Sequence, residues 1–510
     1  MTEQELHEAR LDVAEPGLLG VEMLAVEIDN LLGQLGTGRV ESVAYDTAWV
    51  ARLAQHYPEY GFDQALEWLR RNQHPDGTWG APLVHYHDRF ISTLAAVVAL
   101  QEAGRDSRDR RRVRRGEDAL WKLIGKLGHD DSDTVGFPIL SAALAQEAAD
   151  LGLDVPMPPI RYAGPYRRKV ATLLKLPARE WRGNTLAFSF EALRCAFEEG
   201  DVILESNYSV GGSPAATAGY LLTRRNDRAL GYLTGLLSRD TSGAIVAMDT
   251  IDIFETAWVV AHLSLAGAIH PDIPAVRRAL DKIWSVWSNE TGTGYSSFFS
   301  ISDIDDTAAA FSALRWGGYP VDLDVFRYYE MPEHFACYPG ETNPSLSAHI
   351  RLIKALRTQD SEQAQEWLDK AVTALRRLDE NGSFWWDKWH ASPYYVNSAA
   401  LPVLHGLADD LARTRLKWIV RTQNDDGGWG YLRQSTPEET AYVLEALLYW
   451  DEFVERVPPD VIDAGVQYLL PQALKPINTP LYIAKTLFMP TYVVQSVILG
   501  ALFRYFSRVN

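Results

Sequence analysis

An eight-residue phrase appears once in each half of the chain, and it limits the fold more than anything else in the sequence. Gln73-His74-Pro75-Asp76-Gly77-Thr78-Trp79-Gly80 returns as Gln423-Asn424-Asp425-Asp426-Gly427-Gly428-Trp429-Gly430, with weaker copies at residues 291–295 and 379–385. A second echo accompanies it: Asp46-Thr47-Ala48-Trp49, Glu255-Thr256-Ala257-Trp258, Asp306-Thr307-Ala308-Ala309 and Glu439-Thr440-Ala441-Tyr442 each place an acid and a threonine before an apolar run. An acid and a hydroxyl at a helix start satisfy free backbone N–H groups, and a Gly-Trp turn lays an indole over a neighbouring helix end. Units that cannot bury their apolar faces alone must stack, so the pattern predicts a stacked or toroidal array of helix pairs. Copies in both halves predict two such arrays.

The rest of the chain agrees with an all-α reading. Apolar residues recur at helical spacing, as in Ala65, Trp68 and Leu69 or Leu404, Leu407 and Leu411. Breakers gather at residues 157–165, 317–320 and 458–460. At 510 residues the chain is long enough for at least two domains. Its net charge of −18 argues against a general nucleic-acid binder. Residues 105–115 hold seven arginines, but Asp106 and Asp109 interrupt them and no aromatic residue does, which fits a solvated helix or loop. Two cysteines, Cys195 and Cys337, give no disulfide framework. The acidic start has neither the basic nor the apolar region of a secretory leader. The apolar stretches at 92–100 and 492–503 are too short to span a bilayer. A cytoplasmic protein is expected, its oligomeric state left open. The outlier is 56 aromatic residues, from 16 Trp, 23 Tyr and 17 Phe, more than core packing obviously requires.

The strongest chemical signal is Asp303-Ile304-Asp305-Asp306 directly before an alanine-rich helical run. Carboxylates at a helix N-terminus are also simple caps, favoured by the helix dipole. In an apolar pocket the same crowding does something else, because desolvation and like charge both raise a pKa and keep one carboxyl protonated. Such a group is a Brønsted acid aimed at whatever enters.

The Asp-x-Asp-Asp pattern resembles that of class II terpene cyclases, and the likeness covers nearly the whole chain. Ala44-Tyr45-Asp46-Thr47-Ala48-Trp49, Asp88-Arg89 with the run 92–100, Asp387-Lys388-Trp389-His390-Ala391-Ser392-Pro393-Tyr394-Tyr395 and Ile483-Ala484-Lys485-Thr486-Leu487 are similar, in order, to motifs of copalyl diphosphate synthases. The resemblance implies two α/α barrels, a β domain at 1–40 plus 265–510 and an inserted γ domain at 41–264, with the active site between them. It implies that Asp305 protonates the terminal alkene of a prenyl diphosphate while Asp303 and Asp306 hold its geometry and protonation state. The carbocation then closes two rings in a dry cavity lined by π faces. Trp284, Trp287, Tyr295, Trp316, Trp385, Trp386, Trp389, Tyr394 and Tyr395 are the candidate lining, each also explicable as ordinary core.

The retained diphosphate needs cations, for which Lys388, Lys485 and Arg433 are the candidates. Asp130, Asp131 and Asp133 loosely resemble an acidic Mg²⁺-related motif of the family, or form an exposed acidic loop. No Asp-Asp-x-x-Asp cluster for ionising a diphosphate is present. The product should therefore leave as a diphosphate, for a downstream class I terpene synthase. Plant enzymes of the ent series carry a histidine where Thr185-Leu186-Ala187-Phe188-Ser189-Phe190-Glu191 has Phe188. The final base is thus open between water, Asn207 and another residue. The leading expectation is geranylgeranyl diphosphate to a copalyl-type diphosphate, with ent-copalyl diphosphate first. Farnesyl to drimenyl diphosphate is the rival, and a non-catalytic helical-repeat binding protein the remote alternative.

Overall fold

The computed structural model describes residues 16–509 except 105–106, 163, 165–169, 172–174, 176, 178–179, 194–199, 342, 380–381 and 433. The chain begins with α1 (Pro16–Gln34), and a two-residue strand β1 (Ser42–Val43) follows. Next come α2 (Ala44–Ala51), α3 (Asp63–Arg71), α4 (Tyr86–Ala103), α5 (Ser107–Leu123) and α6 (Phe137–Asp150). A 3₁₀ segment (Thr185–Leu193), α7 (Pro214–Thr223), α8 (Asp227–Arg239) and β2 (Ile245–Val246) complete this stretch. Then follow α9 (Asp252–Leu265), α10 (Pro274–Val286), α11 (Ile304–Trp316), α12 (Leu346–Leu356), α13 (Glu362–Arg377) and α14 (Pro393–Leu404). The chain closes with α15 (Asp409–Arg421), α16 (Pro437–Phe453), α17 (Pro459–Leu469), the hairpin β3 (Tyr482–Ile483) and β4 (Leu487–Phe488), and α18 (Thr491–Val509).

Two closed rings emerge from these helices. In one, α9 packs on α11, α11 on α12, α12 on α14, α14 on α16, α16 on α18, and α18 back on α9. In the other, α2, α4, α6, the 3₁₀ segment and α7 close in the same way. The ring helices are buried on nearly every face, as in α4 and α16. The helices outside them, such as α3, α10, α13 and α15, bury one stripe and are charged on the other. Fully apolar helices inside amphipathic ones is the packing that periodicity demands of an α/α barrel.

Each ring has its own hydrophobic core, one from residues 24–43 and 247–502, the other from residues 44–245. The chain leaves the first core and returns to it at one place, where Ser42 pairs with Val246 and Val43 with Ile245. Helix α9, which falls before the sequence-based boundary at 264, packs in the core of the later helices. A small third cluster of Ala81, Ala391, Leu481, Ile483 and Leu487 seats the β3–β4 hairpin between the barrels. No helix among the described residues is long and apolar enough to cross a membrane.

The repeated phrase braces both barrels identically. Trp79 Nε1 donates to Leu69 O at 2.8 Å and Trp429 Nε1 to Ile419 O at 2.9 Å. The indoles' backbone N–H groups donate to Thr93 and Thr440 hydroxyls at 3.0 Å each. Gln73 and Gln423 each close the turn onto a glycine carbonyl and reach one outer helix. Arg115, from the arginine-rich stretch, donates to the carbonyls of His74 and Pro75 and so helps hold its turn. Gly427 has φ 85°, and a Cβ there would sit 2.6 Å from Ala464 O. Gly427→Ala should therefore lower the urea midpoint, while Gly231→Ala, with open space in the exposed face of α8, should leave it unchanged or raise stability by up to about 1 kcal/mol. Equal effects would show that the turn is not under this constraint.

Candidate active site

Helix α11 begins where residues 292–303 turn back from the end of α10, and Asp303 caps it. The extended Asp303 backbone (φ −136°, ψ 160°) lets its Oδ1 accept the Asp306 N–H at 2.8 Å. Its other oxygen and Asp306 Oδ1 are buried with no outside donor, and the two carboxyl groups hydrogen-bond each other through a shared proton. Here the echoed acid departs from its copies. Asp46 accepts the Ala215 N–H at 2.9 Å, Glu255 the N–H groups of Gly36, Gly38 and Arg39, and Glu439 that of Tyr431 at 2.9 Å. Those three acids tie their helices to another stretch of backbone. Asp306 instead leaves an oxygen facing a cavity.

Burial, followed by the charge of Asp303, drives Asp306 well above the carboxylate range, and burial pushes Asp303 up to about 7. The pair retains a proton at neutral pH, because two desolvated carboxylates this close cannot both ionise. Asp305 is also raised by burial, opposed chiefly by Arg351. The Arg351 Nη1 donates to Asp305 Oδ1 at 3.0 Å, and Nη2 donates to the Tyr395 hydroxyl. Its guanidinium lies 4.2 Å over the Trp258 ring, whose Nε1 donates to the same hydroxyl at 3.2 Å. Tyr395 in turn stacks on His390 at 4.5 Å and 10°, and Glu438 Oε1 lies 3.0 Å from His390 Nε2. This chain fixes the Asp305 carboxyl through Oδ1.

The three acids open into a cavity at the junction of the barrels. Nine of its nineteen lining residues are aromatic: Phe188, Phe254, Tyr295, Phe299, Tyr338, Trp389, Tyr395, Tyr482 and Phe488. Val135, Met248, Ile251, Ile483 and Ala484 fill much of the rest, with Thr185 and Cys337. Acids at one end and rings along the walls can generate a cation and stabilise it in the absence of water.

Over 490 residues the chain is 33% identical to the type B diterpene cyclase of Mycobacterium tuberculosis, covering 92% of this chain and 96% of that one. The chain belongs to the class II terpene cyclases. Residues 315–447 match the model of the squalene-hopene cyclase C-terminal domain. The (13E)-labda-7,13-dien-15-ol synthase of Selaginella moellendorffii is 30% identical over 418 residues, covering 79% of this chain, which spans 54% of that relative's length. The solved ent-copalyl diphosphate synthase of Streptomyces platensis superposes with a TM-score of 0.80 at 26% identity, covering 94% of this chain and 99% of that one.

Within this class II cyclase the sequence candidates separate. Tyr295, Trp389 and Tyr395 line the cavity. Trp316 ends α11, about 20 Å along the helix from the acids, and is half-exposed. Trp284 packs on Tyr319, Trp287 on Phe311 and Tyr394 on Trp418. Trp385 lies under Arg415, and Trp386 meets Tyr431 edge-on. All of these brace helices away from the cavity. Phe254, Phe299, Tyr338, Tyr482 and Phe488 were not singled out by the sequence. Phe254, next to the Glu255-Thr256 echo, and Tyr482 and Phe488, on either side of the Ile483–Leu487 motif, had an adjacent signal. Arg351 had none, since its partner acid is on another helix.

Lys388 sits at the acid end, its Nζ donating to Glu341 at 2.8 Å and lying 4.9 Å over Trp389. Its charge opposes the raised pKa of Asp305. Lys485 is at the other end, buried, donating to Glu191 and Ser213 Oγ at 2.6 Å each and standing 4.5 Å behind the Phe188 ring. Arg433 lies outside the described residues. Asn207 donates to Asp249 O at 3.2 Å and lines a separate cavity with Arg228 and Arg239.

Two of the acids proposed for Mg²⁺ flank opposite nitrogens of His87 and the third meets Tyr431. Asp130 Oδ2 lies 2.7 Å from His87 Nδ1, Asp133 Oδ1 lies 2.9 Å from His87 Nε2, and Asp131 accepts the Tyr431 hydroxyl at 3.1 Å. Mg²⁺ takes oxygen donors converging on one point. These three present no common oxygen face, so they do not fit an ion held by all of them.

The folded chain binds the Asp303 proton more tightly than the unfolded chain, where the carboxyl titrates near 3.9. Its stabilising effect is full below about pH 4 and is lost as pH rises towards about 7. Asn caps a helix as well as Asp. Asp303→Asn should therefore gain stability over wild type between pH 7 and 8 but not near pH 4.5, read as urea midpoints. A variant equally or less stable at pH 8 would contradict the buried-carboxyl account.

Proposed function

We propose that the chain converts geranylgeranyl diphosphate to a bicyclic copalyl-type diphosphate, ent-copalyl diphosphate being the leading product. The observation that carries this reading is the buried acid cluster opening into a π-lined cavity between two barrels. Asp305 Oδ2 gives its proton to the less substituted (CH) carbon of the terminal alkene, and the π electrons form the new C–H bond. A tertiary cation results, and two internal alkenes attack in turn to close two rings. Loss of one proton from the bicyclic cation completes an isomerisation, with every C–O and P–O bond of the diphosphate intact. The Asp305 carboxylate left behind is balanced by Arg351, which makes the protonated form a stronger acid. Asp303 and Asp306 hold the second proton and keep the cluster from carrying three charges.

A substrate with its alkene tail at Asp305 points its diphosphate towards Phe188, Ala484 and Lys485. Lys388 is then at the wrong end to anchor it. Asn207, on the neighbouring cavity, supplies no base to this one. The name of the Streptomyces platensis neighbour supports the ent product, whereas that of the Selaginella relative describes another labdane. Mg²⁺ enters only as an ion travelling with the diphosphate. The product keeps its leaving group, which suits it to a class I synthase.

Purified chain with geranylgeranyl and farnesyl diphosphates, followed by dephosphorylation and chiral mass-spectrometric comparison, tests this reading. A bicyclic C20 alcohol is expected, with Asp305→Asn slower by about 10³-fold. Turnover of the farnesyl substrate alone would move the assignment to a drimenyl-type cyclase. No turnover of either by folded protein would favour a binding scaffold, and an active Asp305→Asn would remove the proposed acid.

A further inference from the structure

His85 and His87 flank the start of α4 and play no part in the cyclisation chemistry. The extended backbone of His85 (φ −113°, ψ 122°) turns into the helix so that both imidazoles meet Asp130. Asp130 Oδ2 is 2.7 Å from His87 Nδ1 and 3.4 Å from His85 Nδ1. One donor atom from each of the three residues falls within 4.8 Å of the others. All three side chains are at most 6% exposed. His85 is loosely held for so buried a group: its Nδ1 lies 3.4 Å from the Asp88 N–H and from Asp130, and its remaining contact is a weak one to the Ser132 backbone, Nε2 lacking a well-formed hydrogen bond.

We propose that His85, His87 and Asp130 form a site for a first-row transition ion of the Zn²⁺ type. Donors about 2.0 to 2.1 Å from a tetrahedral ion lie roughly 3.3 Å apart, so the His85–Asp130 spacing already matches, the His87–Asp130 contact opens by about half an ångström, and the two imidazoles, within 4.8 Å of each other, draw together. Two imidazoles and one carboxylate suit Zn²⁺ or Co²⁺, whereas Mg²⁺ takes oxygen. The surroundings fit as well. A ligating imidazole commonly gives its other N–H to a carboxylate, and His87 Nε2 has Asp133 Oδ1 at 2.9 Å.

The ion would pin residues 130–135 onto α4. That segment reaches the other barrel twice, through the Tyr431 hydroxyl on Asp131 at 3.1 Å and the Val135 N–H donated to Ala484 O at 2.8 Å. Val135 and Ala484 both line the aromatic cavity. The site is thus a structural clasp on one wall of the cavity, separate from any ion carried by a diphosphate.

The test uses the full chain stripped with a chelator and no prenyl substrate. Co²⁺ titrated into the wild type should give the visible bands of a tetrahedral or five-coordinate site at one equivalent, displaced by Zn²⁺ but not by millimolar Mg²⁺. His85→Gln and His87→Gln should abolish the bands, and Asp133→Asn should weaken Zn²⁺ binding about 10- to 100-fold. Because the wild-type spectrum alone reports nitrogen ligation, a variant that fails to fold does not decide the outcome. No stoichiometric Co²⁺ spectrum, displacement by Mg²⁺, or a spectrum that survives in folded His85→Gln and His87→Gln would each overturn the proposal. None of these results depends on which diphosphate the chain cyclises.

Discussion

Three carboxyl groups buried at one helix start set the terms for the rest of this structure. An isolated carboxylate in such a place is expensive to desolvate, and Asp303, Asp305 and Asp306 are each raised above their ordinary range by burial. The arrangement persists because two closed helical rings hold it from both sides and because one guanidinium, Arg351, offsets one of the charges. Oxygens left without an outside donor would count as defects in an ordinary core. Here they belong to Asp303 and Asp306, whose crowding keeps a proton on the pair beside Asp305.

The same repeat supplies both the stable frame and the reactive exception. In three of the four echoes the acid accepts backbone N–H groups of a neighbouring segment, and the threonine clasps the preceding turn or helix. At Asp306 the threonine still clasps, with Thr307 Oγ1 donating to Thr293 O at 2.9 Å, but the acid lines the aromatic cavity instead of holding a neighbouring backbone segment. A structural device thus becomes a chemical one by losing a single partner segment. The β3–β4 hairpin completes the enclosure, carrying Tyr482, Ile483 and Ala484 to the cavity and Lys485 into the opposite barrel.

Much of this was legible in the residues. The Gln-x-x-Asp-Gly-x-Trp phrase foretold two helical arrays because each of its residues has a fixed local job: a closing amide, a turn aspartate, a left-handed glycine and a bracing indole. The acid triplet was legible because its members are adjacent in sequence. Arg351 was not, since its meaning comes only from α12 packing beside α11. The aromatic lining was legible in quantity but not in identity. Trp316 and Trp386 share composition and neighbourhood with Trp389, and only the helical phase and the placement of loops decide which ring faces the cavity. The acids at 130, 131 and 133 read as one cluster in sequence, while the fold assigns them to His87 and Tyr431.

The account stands on initiation by a protein-borne proton, and the solvent isotope carried into the product measures that directly. After equilibration in D₂O, the carboxyl cluster delivers deuterium to the terminal alkene. The bicyclic alcohol obtained after dephosphorylation should be one mass unit heavier at the ring methylene next to the gem-dimethyl carbon, with the original C–O bond intact. A cyclic product without that deuterium, or one formed with loss of the diphosphate, would contradict protonation by the Asp303–Asp306 cluster as the first step.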